Sequence, residues 1–261
     1  MFTQLIPEWL ESFAPGTRAN YRKSAMIFLD YLSSQNVNDV TLLTLQNWRR
    51  ALPIDFPSLR AHIAAIKSLF KYLYNQGHTT SNLGRCLKVP KQLQIRVERN
   101  MSKQQVLDSI AVAPNDRLLL TLLYYLGARV SEVIRIKRND IKTTANGLQF
   151  KLTGKGNKIR HVKITTGVSE YVKSQLRHYP RYLFPGRNGH ITRKCAWQRV
   201  KRAVKKVLPR ASPHYYRHAM ATTALQAGCD VATVSKTLGH SSVATTSFYL
   251  HAHENGACGF L

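Results

Sequence analysis

Acidic residues are scarce in this sequence. Thirteen Asp and Glu stand against 39 Lys and Arg over 261 residues, so the formal net charge is +26. An excess of one sign repels itself unless a polyanion offsets it, which favours DNA or RNA as the partner and an anionic membrane surface as the alternative. The scarcity of carboxylates also argues against two-metal phosphodiester chemistry, because such sites need several of them.

Long hydrophobic runs and paired cysteines are absent as well. No apolar run reaches the roughly 18 residues that a transmembrane helix needs, so we expect no membrane-spanning helix and favour nucleic acid over a membrane as the partner. The first residues, MFTQLIPEWLESF, carry no basic segment, and we expect no secretory signal. The cysteines form no CxxC pair and indicate reduced thiols in a cytoplasmic protein; they are Cys86, Cys195, Cys229 and Cys258.

Helical periodicity dominates residues 1–88. One apolar stripe follows Thr17, a favourable N-cap, and another ends at Gly77, a favourable helix terminator. Cations with almost no interleaved carboxylates accompany these stripes, which favours contact with DNA phosphates over an ordinary solvated face. The predicted DNA-binding residues are Arg18, Arg22, Lys23, Arg49, Arg60, Lys67 and Lys71.

A basic segment without helical periodicity separates two predicted domains. Residues 89–100 contain Pro90, which breaks a helix, and we interpret them as an interdomain linker. A new helix is predicted to begin after Ser102, with Gln105 as its capping-box partner. The second domain therefore covers residues 101–261.

The second domain contains one clear β-hairpin signal. Two alternating runs, LQFKLT and IRHVKI, flank the glycine-containing turn GKGNK, which places Lys155 at or near the hairpin tip. Helical patterns return from Thr192 onward. The expected fold is mainly α with a small antiparallel β-sheet, an α+β protein with a helical N-terminal domain.

Histidines concentrate near the C-terminus, in SPHYYRHAMAT and LGHSSVATTSFYLH. His214 and His218 are four residues apart on a predicted helix, which is a spacing that zinc sites use. However, no Glu stands beside the first histidine, and Arg217 lies on the same helical face as His214. A fixed guanidinium is a poor neighbour for a divalent cation, so we favour a site without a metal.

Cleavage of a phosphodiester without a metal needs a different set of groups. Fixed cations must hold the non-bridging oxygens, a nucleophile must attack, and a general acid must protonate the leaving oxygen. Taken alone, each candidate has an ordinary structural explanation, and Arg129 in LGARVSE can simply pair with Glu132. The complete set is Arg129, Lys155, His214, Arg217, His240 and Tyr249.

Four sequence boxes in this order resemble those of the tyrosine recombinase or integrase family, most closely its Xer and phage integrase branch. LGARVSE is similar to GLRxSE, TGKGNKIR to GKGxKxR, SPHYYRHAMAT to SPHxLRH, and LGHSSVATTSFY to LGHxxxxTTxxY. The N-terminal helices are similar to the core-binding domain of the family. One departure is Tyr216, which stands where the family usually has Leu.

The resemblance implies a mechanism. Tyr249 attacks the scissile phosphate to form a 3′-phosphotyrosyl bond, Arg129 and Arg217 hold the phosphate, and Lys155 protonates the leaving 5′-oxygen. His214 and His240 hydrogen-bond the phosphate or move protons. The family needs no cofactor, acts on a double-stranded DNA site at the nucleoid, and assembles a homotetramer from protomers that are monomeric when free.

Two other functions stay open from the sequence. The same chemistry serves topoisomerase-like relaxation or hairpin formation by a DNA strand transferase. A DNA-binding accessory protein with a silent active site is a third possibility, although every catalytic residue type is present. The DNA target sequence, and the choice among integration, excision, resolution and inversion, are not encoded in these motifs.

Overall fold

The structure, a computed structural model, describes most of the chain. The described ranges are 2–33, 39–53, 59–89, 101–179, 181–187 and 189–239, without the side chains of Phe2, Thr3 and Lys155. The chain divides into two compact units, Met1–Ile95 and Arg96–Leu261. Two of the predicted catalytic residues, His240 and Tyr249, and all but the first residue of the predicted linker lie outside the described residues.

The N-terminal unit is built from helices around an aromatic core. Phe28 packs edge-on against Trp48 and Phe70, with ring centroids 5.1 and 5.9 Å apart, and all three side chains are buried. Burial of large aromatic side chains contributes much of the stability of so small a unit. The helices are α1 (Phe2–Glu11), α2 (Pro15–Leu32), α3 (Leu42–Ala51) and α4 (Leu59–Asn75), followed by a 3₁₀ turn at Leu83–Cys86.

One predicted helix boundary in this unit is wrong and one is confirmed. Helix α2 begins at Pro15 rather than after Thr17, because proline at the first helical position lacks only an N–H that would have no helical partner. Helix α4 ends as predicted at Gly77, whose φ of 75° is left-handed. The N–H of His78 bonds the carbonyl of Leu73 there, closing the last turn.

The second unit combines helices with a three-stranded antiparallel sheet. Its strands are β1 (Ile141–Thr144), β2 (Gly147–Thr153) and β3 (Ile159–Thr165), and they run in the order β1-β2-β3. The inward-facing residues Leu148, Phe150 and Leu152 alternate along β2 and are buried. The helices before and after the sheet in the chain are α5 (Lys103–Ala111), α6 (Arg117–Tyr125), α7 (Val130–Val133) and α8 (Thr166–Leu176).

The rest of this unit is helical apart from a two-residue ladder. It contains β4 (Pro185–Gly186), β5 (Gly189–His190), α9 (Arg193–Val204), α10 (Pro213–Gln226) and α11 (Val231–Leu238). The predicted α+β fold is confirmed. Across the described ranges, no helix has both the length and the apolar character needed to span a bilayer.

The predicted hairpin is confirmed and joins β2 to β3. Residues 155–157 form a 3₁₀ turn at its tip, with Gly156 and Asn157 at φ values of 69° and 60°. Glycine and asparagine tolerate this left-handed geometry, which explains the turn sequence. Lys155 therefore lies at the tip, as predicted.

Tyr216 fills the core behind the helix face that carries Arg217. Its hydroxyl lies 2.7 Å from the Ser109 Oγ, which in turn donates to the Val106 carbonyl at 2.6 Å. Because that hydroxyl hydrogen is used, Tyr216 donates and Ser109 accepts. Burial raises the pKa of Tyr216 to about 12. The departure from Leu is thus accommodated by a buried hydroxyl pair.

Substitution of Tyr216 and Ser109, singly and together, should reveal an interaction energy between the two hydroxyl groups. We expect Tyr216→Phe to lower the free energy of unfolding by about 1 kcal/mol and Ser109→Ala by more, because the first removes one buried hydrogen bond and the second removes two. The double variant should cost less than the sum, since neither hydroxyl is then left alone. Urea unfolding followed by circular dichroism checks this, and strict additivity would contradict the pairing.

Candidate active site

The LGARVSE segment forms a tight turn between α6 and α7. Gly127 has a φ of 55°, which favours glycine, and a Cβ there would lie 1.9 Å from the Met220 methyl carbon and 3.0 Å from the Leu238 Cδ2, so a larger residue would displace these side chains. Arg129 follows as the N-cap of α7. Its backbone N–H and its Nη1 both donate to the Glu132 carboxylate, at 2.8 and 3.0 Å. The ion pair considered from the sequence is therefore formed.

Glu132 is almost completely buried and binds a second arginine. Arg160 of β3 donates from Nη1 and Nη2 to Oε1 and Oε2, at 3.1 and 2.8 Å, in a bidentate pair. Burial alone would raise the pKa of Glu132, but the hydrogen bonds from Arg160 and Arg129 bring it below its ordinary value. A Cβ at Gly154 would lie 3.2 Å from Oε1, so the start of the hairpin tip lies against this carboxylate.

Arg217 connects the turn to the end of α11. It lies on α10, is 5% exposed, and donates from Nη1 to the Gly127 carbonyl and from Nη2 to the Leu238 carbonyl, both at 2.7 Å. These bonds supply donors to two carbonyls, one in the turn after α6 and one at the end of α11, where helical partners are lacking. The guanidinium plane is thereby fixed, which is the property that phosphate recognition needs.

The last turn of α11 is held by Arg160 as well. Its Nε donates to the Thr237 carbonyl at 2.8 Å. Gly239 then ends the helix with a φ of 67°, and a Cβ there would lie 3.1 Å from the Arg160 side chain. His240 is the next residue in the sequence, so two arginines anchor the turn that leads to it.

These contacts close into a ring, which we call the arginine ring. Its members are Arg129, Glu132, Arg160 and Arg217, joined through the carbonyls of Gly127, Thr237 and Leu238. The side chains of the ring are three guanidinium groups and one carboxylate, so their own formal charges sum to +2 in a largely buried setting. Fixed, partly desolvated cations of this kind suit an anionic ligand.

The structure gives the positions of the other described site residues but fewer of their side-chain contacts. His214 is exposed on the first turn of α10, and His218 is half-buried one turn later. Among the residues that the structure describes, no three His, Cys, Asp or Glu side chains cluster as metal ligands would. Of the six predicted catalytic residues, the structure joins Arg129 and Arg217 in one network and puts Lys155 next to Gly154, which borders it.

The predicted DNA-binding residues divide into two groups. Arg18 donates to the carbonyls of Glu11 and Phe13, at 3.0 and 3.3 Å, and Lys67 donates to the Leu87 carbonyl at 2.9 Å. These two side chains therefore stabilise turns of the unit. Arg22, Lys23, Arg60 and Lys71 are exposed and Arg49 is half-buried. Lys71 also lines a cleft of about 780 Å³ together with Arg85, a cation that is not among the predicted DNA-binding residues.

A basic surface on the second unit was missed from the sequence. Residues 193–210 contain eight Lys and Arg and no acid, a signal as strong as the one used for residues 1–88. The Arg199 Nε forms an ion pair with the Asp116 Oδ1 at 2.5 Å. Trp197 is 46% exposed with the Lys201 ammonium 5.7 Å from its ring centroid. The exposed cations, which we call the α9 basic surface, are Arg193, Lys194, Arg202, Lys205, Lys206 and Arg210.

Comparisons with known proteins agree with one another. Residues 99–255 match the model of the phage integrase family. The chain is 33% identical to the tyrosine recombinase XerA of Pyrococcus horikoshii over 204 residues, covering 74% of this chain and 68% of that protein. It is 30% identical to the tyrosine recombinase XerD of Vibrio vulnificus over 270 residues, covering 93% and 87%.

Solved structures share the fold. The XerH recombinase bound to a palindromic difH substrate, in a post-cleavage complex, superimposes with a TM-score of 0.77 at 19% identity, covering 91% of this chain and 76% of that one. A lambda integrase dimer bound to a COC′ core site gives 0.74 at 16% identity, covering 91% and 96%. At these identities the likeness concerns the fold alone.

Proposed function

The chain belongs to the phage integrase family of tyrosine recombinases, and on that premise we propose that it is a site-specific DNA recombinase. It cleaves and rejoins strands through a 3′-phosphotyrosyl intermediate, for DNA integration, excision or resolution. The observation that carries this proposal is the arginine ring, which fixes Arg129 and Arg217 in one network. Topoisomerase-like activity and a silent accessory role are not favoured by the relatives.

The proposed roles follow from the charge that develops at the phosphate. Tyr249 forms a bond to phosphorus through its phenolate oxygen while the bond to the 5′-oxygen breaks. Arg129 and Arg217 hold the non-bridging oxygens, where negative charge increases in the transition state. Lys155 protonates the departing 5′-oxygen, and His214 and His240 donate hydrogen bonds or move protons, including the one that the Tyr249 hydroxyl releases. Attack by a 5′-hydroxyl of a partner strand reverses these steps and rejoins DNA.

No metal ion is assigned a role in these steps. The cations that a metal would supply are arginine side chains, and the ring contains one carboxylate that two arginines already neutralise. The bond energy is retained in the phosphotyrosine, so joining needs no external energy source. The proposal therefore includes no cofactor.

The partner is a double-stranded DNA site. We assign residues 1–88 to a core-binding domain, 89–100 to a linker, and 101–261 to the catalytic domain. The α9 basic surface and the exposed cations of α2 and α4 give both units phosphate-binding potential, which supplies affinity without sequence specificity. We further propose a homotetramer in the synaptic complex, formed from free monomers, acting at the nucleoid.

Covalent capture tests this function. Purified protein is mixed with fragmented genomic DNA, denatured in detergent, and the DNA that stays attached is sequenced. We expect one enriched sequence, and a nicked suicide substrate built from it should trap the protein through the peptide containing Tyr249, as read by mass spectrometry.

The reaction conditions separate the alternatives. Capture should proceed fully in EDTA, and its loss on chelation would contradict metal-independent chemistry. Relaxation of supercoiled plasmids that lack the enriched sequence would favour a topoisomerase. Gel shift without any covalent product on the enriched sequence would favour the silent accessory protein.

A further inference from the structure

Arg160 has no role in the chemistry described above, yet it makes three hydrogen bonds within the arginine ring. Three of its donor groups are used: two on the Glu132 carboxylate and one on the Thr237 carbonyl, all between 2.8 and 3.1 Å. Its side chain is 13% exposed. A long side chain that gives up its rotamer freedom in this way must gain specific contacts in return.

The first of these contacts acts on Arg129. Glu132 alone would be a buried carboxylate facing one half-exposed arginine, since the Arg129 side chain is 40% exposed. The bidentate pair with Arg160 fixes both carboxylate oxygens, and Oε1 is the atom that accepts from Arg129 Nη1. The position of the Arg129 guanidinium is therefore set through Glu132 by a residue of β3.

The second contact acts on the C-terminal turn of α11. Arg160 binds the Thr237 carbonyl, and Arg217 binds the next carbonyl, that of Leu238. Gly239 packs against the Arg160 side chain and turns the chain out of the helix. His240 is the next residue in the sequence, so Arg160 holds the turn that immediately precedes it.

We propose that Arg160 is a positioning residue that aligns Arg129 and the backbone leading to His240 at the same time. It does not touch the phosphate; it acts through Glu132 on one side and through Thr237 on the other. This inference rests on the proposed function, because the alignment matters for the cleavage step. A planar fork with donors in two directions is required, which lysine and glutamine lack.

The test compares Arg160→Lys and Arg160→Gln with Lys163→Gln, an exposed cation on the same strand. Single-turnover cleavage of the nicked suicide substrate and the Kd for DNA are measured separately. For both Arg160 variants we expect cleavage to fall about 10- to 100-fold, the effect of a small misplacement of catalytic groups. The Kd should change less than about threefold, and Lys163→Gln should cleave like the wild type.

A modified substrate distinguishes positioning from a general loss of structure. A methylphosphonate at the scissile position removes the charge of one non-bridging oxygen, so a correctly placed Arg129 contributes less. The cleavage defect of Arg160→Lys relative to wild type should shrink at least about fivefold on that substrate. An equal defect on both substrates would overturn the inference, because a loosened fold slows both reactions alike.

A measurement without DNA keeps this inference separate from the proposed function. In NMR spectra of ¹⁵N-labelled protein, Arg160→Lys should shift the backbone amides of Leu238, Gly239 and His240, whereas Lys163→Gln should not. Unchanged amides would overturn the positioning role even if the wild type is an active recombinase. Absence of any covalent adduct with wild type, together with these shifts, would overturn the function and leave the contact itself supported.

Discussion

Replacement of Tyr249 by phenylalanine is expected to abolish covalent capture of DNA. The phenyl ring keeps the size and apolar surface of the side chain but lacks the oxygen that bonds to phosphorus, so no intermediate can form. Affinity for the DNA site should stay within about twofold, because phosphate contacts from Lys and Arg dominate binding. The predicted result is a normal gel shift with no detergent-resistant adduct on the nicked suicide substrate.

The control for this substitution is Tyr179→Phe, a half-buried tyrosine of the second unit with no assigned role. It should form adduct at the wild-type rate. If DNA were still trapped on the Tyr249→Phe protein, the nucleophile would be a different residue, and the alignment of LGHSSVATTSFY with the family box would be wrong at its last position.

Local signals predicted the parts of the fold that depend on neighbouring residues. The Ser102 capping box with Gln105, the end of α4 at Gly77, and the hairpin around Lys155 are each set within a few residues, and each is present. Strand β1 was missed because Ile141–Thr144 is short and mostly exposed, so it shows no alternation of buried positions. This strand is defined by its pairing with β2, and that pairing leaves no pattern in the sequence of β1.

Within the arginine ring too, contacts between residues close in sequence could be predicted, and contacts between distant residues could not. The Arg129–Glu132 pair lies three residues apart, and the sequence could suggest it. The Arg160 contacts span 28 residues to Glu132 and 77 to Thr237, and no periodicity connects such positions. Arg160 was visible only as the last residue of the GKGxKxR box, while its partners depend on how β3 packs beside α7 and α11.

The net charge correctly indicated a polyanionic partner, but it did not locate every basic surface of the protein. The excess of positive charge indicated a polyanion, and helical stripes drew attention to residues 1–88. Arg18 and Lys67, two of the cations named there, bond backbone carbonyls. The α9 basic surface was equally basic in sequence. It was overlooked because residues 193–210 lie between the catalytic boxes, and none of those boxes includes them.

The second large effect is expected from Glu132, the only carboxylate of the arginine ring. Glu132→Gln removes the charge that two arginines share, while Arg160 remains largely buried, so the free energy of unfolding of the second unit should fall by about 3 kcal/mol. A melting temperature lower by roughly 10 °C is the matching thermal change. Cleavage should also fall, since the glutamine amide keeps only one acceptor oxygen for the four donors that Arg129 and Arg160 present to Glu132.

Glu170→Gln is the matched control, because it removes a carboxylate from an exposed pair with Lys173 at 2.7 Å, in which Glu170 is 61% exposed. We expect a loss of less than about 1 kcal/mol there, as for other surface pairs. Equal losses for the two variants would show that Glu132 contributes no more than a surface charge, and the ring would then not be a stabilising unit.

The pH dependence of stability supplies an independent check on Glu132. Its pKa is lowered in the folded protein by the bonds from Arg160 and Arg129, so the unfolded chain binds a proton more readily than the folded one. The stabilisation is therefore fully present well above the unfolded pKa of about 4.3 and is lost as the pH falls through the lower folded value. Urea unfolding between about pH 7 and pH 3 should show the wild type losing more stability than Glu132→Gln, so that the two curves converge in acid. Parallel curves would mean that this carboxylate gains nothing from its arginines, whereas convergence at low pH, with Glu170→Gln following the wild type, locates the acid-sensitive stability in the arginine ring.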